Sequence, residues 1–447
     1  MVKRRHSFSR REFLRATGLG AAGASLLPTA RVWGNGADQY EGPLLVTLQL
    51  DGGADVTQLC DPKTNTPGEL KINHWADTNE VQQIGNLQFA PVAKNAELFN
   101  RYGADTLVIN GVDSQTNSHD TGRLYNWTGS NAEGKPSLAA LHAAYYAPDQ
   151  PLAYSVYGRF SRTSGVISYN RFSNLQVLRS LAQPTIDPWS GSLRREQIEL
   201  DRASQLVSDE VTRLLASPGL SMRERQNIAR FSEARASRES LSRLADIIPG
   251  EEGIVDSYEV NVPGSDWPLY LNVQQQMQGA LLVLKSGLGA AVEVSLEHFD
   301  THENHDLQHE ALFAHLADSL DFFWDYAEAL GLAERILLVI GSDFGRTNFY
   351  NDGNGKDHWP IGSYMIMEKN APWGNRVVGL TDELHFARGI NAQTLKEEPN
   401  GVYMTPSHVH KAIQHYMGFD RFAEDLGHGL GDVEPLPLFD PFRATFG

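Results

Sequence analysis

Three apolar runs in this 447-residue chain end in residues of the kind that hold metal ions. Residues 44–50 (LLVTLQL) stop at Asp51-Gly52-Gly53, and 290–296 (AAVEVSL) run into Glu297-His298-Phe299-Asp300-Thr301-His302. Residues 336–340 lead to Ser342-Asp343 with Gly345-Arg346 just behind, and a Gly/Asn/Asp loop then delivers Asp357-His358. Asp and His together are common ligands for a divalent metal. A carboxylate at the C-terminal end of a buried strand also lies where open α/β sheets gather their ligands. One such ending is ordinary, because any strand can finish in a polar loop. Three of them, two with a His in reach, point to a metal-centred site on one sheet edge.

A hydroxyl nucleophile has a source as well. Residues 110–119 (NGVDSQTNSH) are rich in hydroxyl and cap residues, and a helix opens near Ser118 to Asp120. Ser and Asn at a helix start are ordinary N-caps. A hydroxyl there also stands where backbone N–H groups favour an anion. His119 is open between general acid, metal ligand and cap residue. Arg346, a fixed-charge fork, suits a non-bridging ester oxygen or, equally, a salt bridge that holds its loop.

The elements that must carry these residues follow from periodicity. Strands are expected at 44–50, 106–109, 152–157, 290–296 and 336–340. Helices are expected at 92–101, 138–146, 269–285, 307–330 and 406–417. The aromatics Phe322, Phe323, Trp324 and Tyr326 read as core. Over 197–247 strand runs vanish and Glu, Arg, Ser and Ala dominate. That composition reads as a helical insertion (about 190–250) on the α/β core, placed to wall the site, with Arg223, Arg225, Arg230 and Arg235 on a solvated face.

The first thirty residues read as an address. Lys3, Arg4 and Arg5 precede Ser9-Arg10-Arg11-Glu12-Phe13-Leu14, a twin-arginine motif, and 16–30 are uncharged and only mildly apolar. That stretch is too short and too rich in Gly and Ala for a stable membrane span. Such signals are read by the twin-arginine translocation machinery and direct export, so the expected location is periplasmic. The formal charge is −17, and losing residues 1–30 removes six basic residues and one acidic one, leaving about −22. A protein this acidic does not hold nucleic acid by general electrostatics. An anionic substrate would need a local positive centre. Cys60 is the single cysteine, so no intramolecular disulfide forms; it reads as a small buried apolar residue.

VTLQLDGGAD, SHDTGRLYNWTG, DTHENH, SDFGRT and KDHW, in this order behind a twin-arginine signal, resemble the bacterial family called domain of unknown function 1501. That family is grouped with the alkaline phosphatase and sulfatase superfamily, and the resemblance covers essentially all of 31–447. It implies an alkaline phosphatase-like three-layer α/β sandwich with a central, mostly parallel sheet. It also implies one or two divalent metals (zinc, calcium, magnesium or manganese) at the C-terminal strand edge. In that scheme Asp51 and Asp343 resemble ligands of one metal. Asp300 and His302 resemble ligands of the other, with His358 completing it. The nucleophile would come from 116–118, Ser118 ahead of Thr116 or a water.

Three departures stand out. Phe344 occupies the place of the superfamily's His beside Asp343. Asp300 and His302 are only two apart, and His298-Phe299 replaces the family's common Gly-Trp. The implied activity is in-line hydrolysis of an anionic small-molecule phosphate or sulfate ester. The alternative is a non-catalytic periplasmic binding or assembly protein on the same fold, favoured by Phe344 because a phenyl ring cannot ligate a metal.

Overall fold

In a computed structural model, residues 39–440 are described apart from 223, 226, 229, 230, 232–237 and 261–267. The twin-arginine segment and Arg223, Arg230 and Arg235 lie outside the described residues. The strands that build and serve the main sheet are β1 (Leu44–Leu50), β2 (Thr106–Asp113), β3 (Tyr154–Val156), β4 (Asn170–Arg171), β5 (Ala291–Leu296), β6 (Ile336–Ser342), β7 (Gly345–Arg346), β8 (His358–Trp359), β9 (Ile361–Glu368) and β10 (Arg376–Val378). The helices needed below are α1 (Asn95–Tyr102), α2 (His119–Thr128), α3 (Leu138–Tyr146), α4 (Leu175–Ala182), α5 (Gln197–Leu215), α6 (Val273–Lys285), α7 (His305–Ala329) and α8 (Pro406–Tyr416).

Alternation along β1 decides the layering. All seven of its residues are buried. Leu44, Val46 and Leu48 enter one core with Leu98 of α1, Leu281 of α6 and Phe313 of α7. Leu45 enters the other with Leu141 of α3 and Ile413 of α8. Successive strand side chains point to opposite faces, so a strand buried at every position lies inside a sheet covered on both sides. The sheet order is β10-β2-β9-β6-β1-β5-β3-β4. β1 pairs in parallel with both β6 and β5. Only β9 runs against its neighbours β6 and β2. This is the expected three-layer, mostly parallel sandwich. Truncating a side chain such as Leu48 or Phe313 to Ala is expected to cost about 2–5 kcal/mol.

The predicted helices at 138–146 and 406–417 and the strand at 44–50 lie where periodicity put them. Phe323 and Trp324 are core residues, with Phe322 and Tyr326 packed against the same cluster. Two expectations need correction. Residues 269–285 are not one helix, because Leu269–Leu271 pair with Tyr258–Val260 as a hairpin before α6 begins. The three have the buried-exposed-buried alternation of a strand.

The insertion, moreover, does not wall the site. Among its described residues Leu244 is the fully buried apolar one, and it packs with Leu175 and Leu178 of α4 on Leu152, Leu282 and Leu288, beside the starts of β3 and β5 rather than their C-terminal ends. α5 has no buried residue at all. Arg225 is not simply solvated, since it donates to the carbonyls of Leu215 (2.9 Å) and Ser217 (3.2 Å) after α5. Cys60 is buried, 2 % exposed, and burial pushes its thiol pKa up. Among the described residues no helix is long and apolar enough to cross a membrane.

Candidate metal centre

The three central strands finish level. Leu50 of β1 stands opposite Ser342 of β6 and Leu296 of β5, so the loops that follow all leave from one edge. The turn after β1 needs glycine, because Gly52 and Gly53 have φ of +116° and +88°, a region that side chains avoid. A Cβ on Gly52 would also run into the backbone of Phe299 and Asp300. The two glycine amides aim at Asp343, donating to its Oδ1 at 3.1 and 2.8 Å. The third loop folds back as the β7–β8 ladder, which places His358 opposite Arg346.

Asp300, His302, His358 and His119 meet above this edge. His302 Nε2 lies 3.0 Å and His358 Nε2 3.3 Å from Asp300 Oδ1, and the two ring nitrogens are 3.1 Å apart. The other nitrogen of each ring is already committed. His302 Nδ1 is 2.7 Å from Asp357 Oδ1, and His358 Nδ1 is 2.8 Å from the Asn117 carbonyl. A carbonyl only accepts, so His358 Nδ1 carries a proton. His302 has a carboxylate at each nitrogen, and the shorter contact, to Asp357, favours the same tautomer when the ring is neutral. With both rings neutral, both Nε2 atoms present lone pairs, to each other and to a carboxylate. That arrangement is repulsive unless a proton or a metal ion sits among them. His119 completes the set. Its Nδ1 is 2.5 Å from Asp343 Oδ2, and its Nε2 faces the other oxygen of the Asp300 carboxylate, Oδ2, at 3.4 Å. Ligand atoms of His119, Asp300 and His358 all lie within 4.8 Å of one another.

The electrostatics agree with an acidic pocket that wants a cation. Hydrogen bonds to Asp300 and Asp343 push His119 up to about 9, so in the absence of a metal its proton takes the cation's place. Burial works to raise Asp300, but His119 and Arg346 outweigh it and hold the carboxyl well below the usual range. Asp51 is raised, first by burial and then by Asp343.

The expected site residues thus come to one edge but not as two pairs. Asp343 is fully buried, with Oδ1 on the two glycine amides and Oδ2 on His119. It orients a ligand rather than standing free beside Asp51. Asp51 Oδ1 is 3.4 Å from Arg123 Nε on the next turn of α2. Arg346 is also fully buried. It donates to the carbonyls of Gly52, Gly53 and Lys356 and, at 2.6 Å, to Asp300. Four of its five N–H donors are thus committed to fastening the loops, which is the loop-holding role rather than an open fork for an ester oxygen. Ser118 is the exposed N-cap of α2 with no side-chain cap bond, next to the Asn117 carbonyl that anchors His358. The Phe344 ring, 2 % exposed, packs on His119 (4.7 Å) and His358 (4.6 Å) as a wall of the cluster.

Sequence reading missed the partners that fix tautomers, Asp357 and the Asn117 carbonyl. It also missed the buried residues beneath, Asp55, His305, His309 and Lys356. Asp55, His305, Lys356 and Asp357 sit inside the motifs DGGAD, DTHENH and KDHW, where Asp357 adjoins His358 with nothing to mark it as the partner of His302. His305 and His309 share a face of α7 by their spacing of four. Those were the available signals.

Comparison with solved structures finds distant likenesses. One is a Bacteroides thetaiotaomicron protein of glycosaminoglycan metabolism (9% identity, 91% of this chain, 78% of that one, TM-score 0.39). Another is a sulfatase from Pseudoalteromonas sp. (12%, 77%, 66%, TM-score 0.33). A third is the alkaline phosphatase of the Antarctic bacterium TAB5 (9%, 75%, 94%, TM-score 0.30). Similarities this low carry no argument about activity. Among curated proteins none matches the chain. The motifs that end the strands at this edge fall within residues 43–424, which match the family described as protein of unknown function (DUF1501), and the chain belongs to that family.

Proposed function

We propose that the chain is an exported hydrolase of phosphate or sulfate esters that uses a divalent ion held by His119, Asp300, His302 and His358. The observation that carries this reading is that His302 and His358 Nε2 both face Asp300 Oδ1 while His119 Nε2 faces the other oxygen of the same carboxylate, with ligand atoms of His119, Asp300 and His358 within 4.8 Å of one another. A donor set of nitrogen and oxygen suits zinc-like ions. An ion there would polarise an ester oxygen and offset its negative charge. Ser118 stands beside the cluster with an exposed, uncapped hydroxyl and is the proposed nucleophile. Asp343, held by two glycine amides, keeps His119 turned to the ligand position. Arg123 is partly exposed and reaches toward Asp51 and Asp120, which gives an anionic substrate a cation at the rim.

Metal analysis of the purified protein, with assays on aryl phosphate, phosphodiester and aryl sulfate, tests the proposal. Bound metal with turnover supports it, and absence of both rejects it. A second reading, a binding protein without catalysis, is favoured by the buried Phe344 ring, which closes one side of the cluster; metal without turnover would support that one. Export is tested separately. Replacing Arg10 and Arg11 by Lys should hold the precursor in the cytoplasm, and normal periplasmic accumulation would refute the address.

A further inference from the structure

Beneath the cluster lies a second polar group that the proposed reaction does not use. Asp55, His305, His309 and Lys356 are all 0 % exposed. Lys356 Nζ is 2.6 Å and His305 Nε2 2.9 Å from Asp55 Oδ2, and Thr57 donates to Oδ1 from its amide (3.0 Å) and its hydroxyl (2.7 Å). The Asp55 amide donates to His309 Nε2 at 3.1 Å. His309 Nδ1 then carries the proton, toward the Thr301 hydroxyl at 3.1 Å, which in turn lies 2.7 Å from His305 Nδ1. The donors therefore run in a closed ring. Its only charges are Lys356 and Asp55, and they cancel.

Taking two charges out of water is strongly unfavourable, so stability alone is a poor reason for this pair. Its connections are more informative. Asp55 is two residues beyond Gly53, whose amide holds Asp343. Thr301 stands between Asp300 and His302. Lys356 is two residues before His358, its amide donating to the Thr301 carbonyl (3.1 Å) while its own carbonyl accepts from Arg346 (3.0 Å). The two loops that carry Asp300, His302 and His358, and the glycine turn that holds Asp343, are tied together at this one buried pair.

We infer that Lys356 and Asp55 are positioning residues that set the spacing of Asp300, His302 and His358 for an ion. The inference rests on the metal-centre reading. Partners one layer behind metal ligands commonly change affinity 10–100-fold when removed, and these act on the backbone of two ligands at once.

The test uses the full chain stripped with chelator and titrated with cobalt(II), whose visible spectrum reports ligand geometry, alongside thermal melting. Lys356→Met and Asp55→Asn should each weaken cobalt binding about tenfold and shift its absorption band. Each single change also leaves a buried partner unmatched and lowers the melting temperature. The double variant Lys356→Met/Asp55→Leu removes both charges and should recover much of the melting temperature, but not the cobalt affinity or spectrum. If the variants melt differently yet bind cobalt with the wild-type affinity and spectrum, the pair is structural only and the inference fails. Recovery of affinity and spectrum in the apolar double variant would overturn it equally. Wild-type protein that takes up no cobalt defeats the metal-centre reading itself, and the inference with it.

Discussion

Two histidine clusters lie on either side of Thr301, and they differ in one respect. In the lower one, among His305, His309, Asp55 and Lys356, each polar atom that meets another finds a donor matched to an acceptor. In the upper one, His302 and His358 use one ring nitrogen each on Asp357 and Asn117 and turn the other toward a carboxylate and toward each other. Burial follows the same division, with 0 % exposure below and side-chain exposure of 45 % for His302 and 24 % for His358 above. Similar residue types therefore do different work. A closed hydrogen-bond ring is a brace, whereas lone pairs left facing one another, open to solvent, are a place for a cation. Residue type alone does not distinguish them, but the count of donors and acceptors does.

The largest expected effect breaks the upper cluster outright. Asp300→Ala removes the one carboxylate that both Nε2 atoms face, and metal affinity should fall by about a hundredfold or more. Unchanged affinity in a metal titration would mean that the ion, if any, sits elsewhere. Gly355→Ala attacks the seam between the clusters, because a Cβ there runs into the His302 carbonyl. A loss of about 2–3 kcal/mol together with weaker metal binding is expected from denaturant unfolding and titration. Wild-type values in both would show that the seam adjusts freely.

A buried acid without a cation of its own sharpens the contrast with Asp55. Burial raises Glu293 of β5 to about 7, with Tyr154, Ser137 and Arg171 opposing it. The folded state then holds a proton that the unfolded chain releases from about pH 4.5, the ordinary value for the group. Stability should fall as pH rises from about 4.5 to 7 and level off above, since the folded state binds more protons across that window. Glu293→Gln should flatten this fall by about 3 kcal/mol, read from melting at pH 4 and pH 8. An identical pH profile would show that Glu293 ionises normally. The smallest effect concerns the wall. Phe344→His offers an imidazole next to His119 and His358 and should tighten metal binding about threefold, or admit a second ion. If stoichiometry and affinity both stay put, the ring is a wall and nothing more.

Much of this was legible before the structure. Asp51, Asp300 and Asp343 announced themselves because a parallel strand buried on both faces is a continuous apolar run, and its end is abrupt. The layering followed from the same runs. What the sequence concealed was assignment at the level of single atoms. Asp343 and Asp51 look alike as strand-end carboxylates, but Gly52 and Gly53 turn their amides on Asp343 and not on Asp51. Arg346 reads equally as a substrate fork or a loop-holding salt bridge until its donors are found on three carbonyls and Asp300. The insertion was recognisable by composition, yet composition says nothing about which end of a sheet a helix packs against. The hairpin at 269–271 was lost because three residues are too few to show a period.

Ligands drawn from 119, 300–302 and 358 have one further consequence. An ion held by them would act on the chain as a reversible cross-link, closing loops of very different length that the unfolded polymer keeps open. The unfolded chain could not gather the same donors, so the ion would favour the native state by mass action. Each tenfold rise in free metal above the dissociation constant would add about 1.4 kcal/mol to unfolding. Melting temperature against metal concentration is therefore a binding curve that requires no knowledge of the substrate.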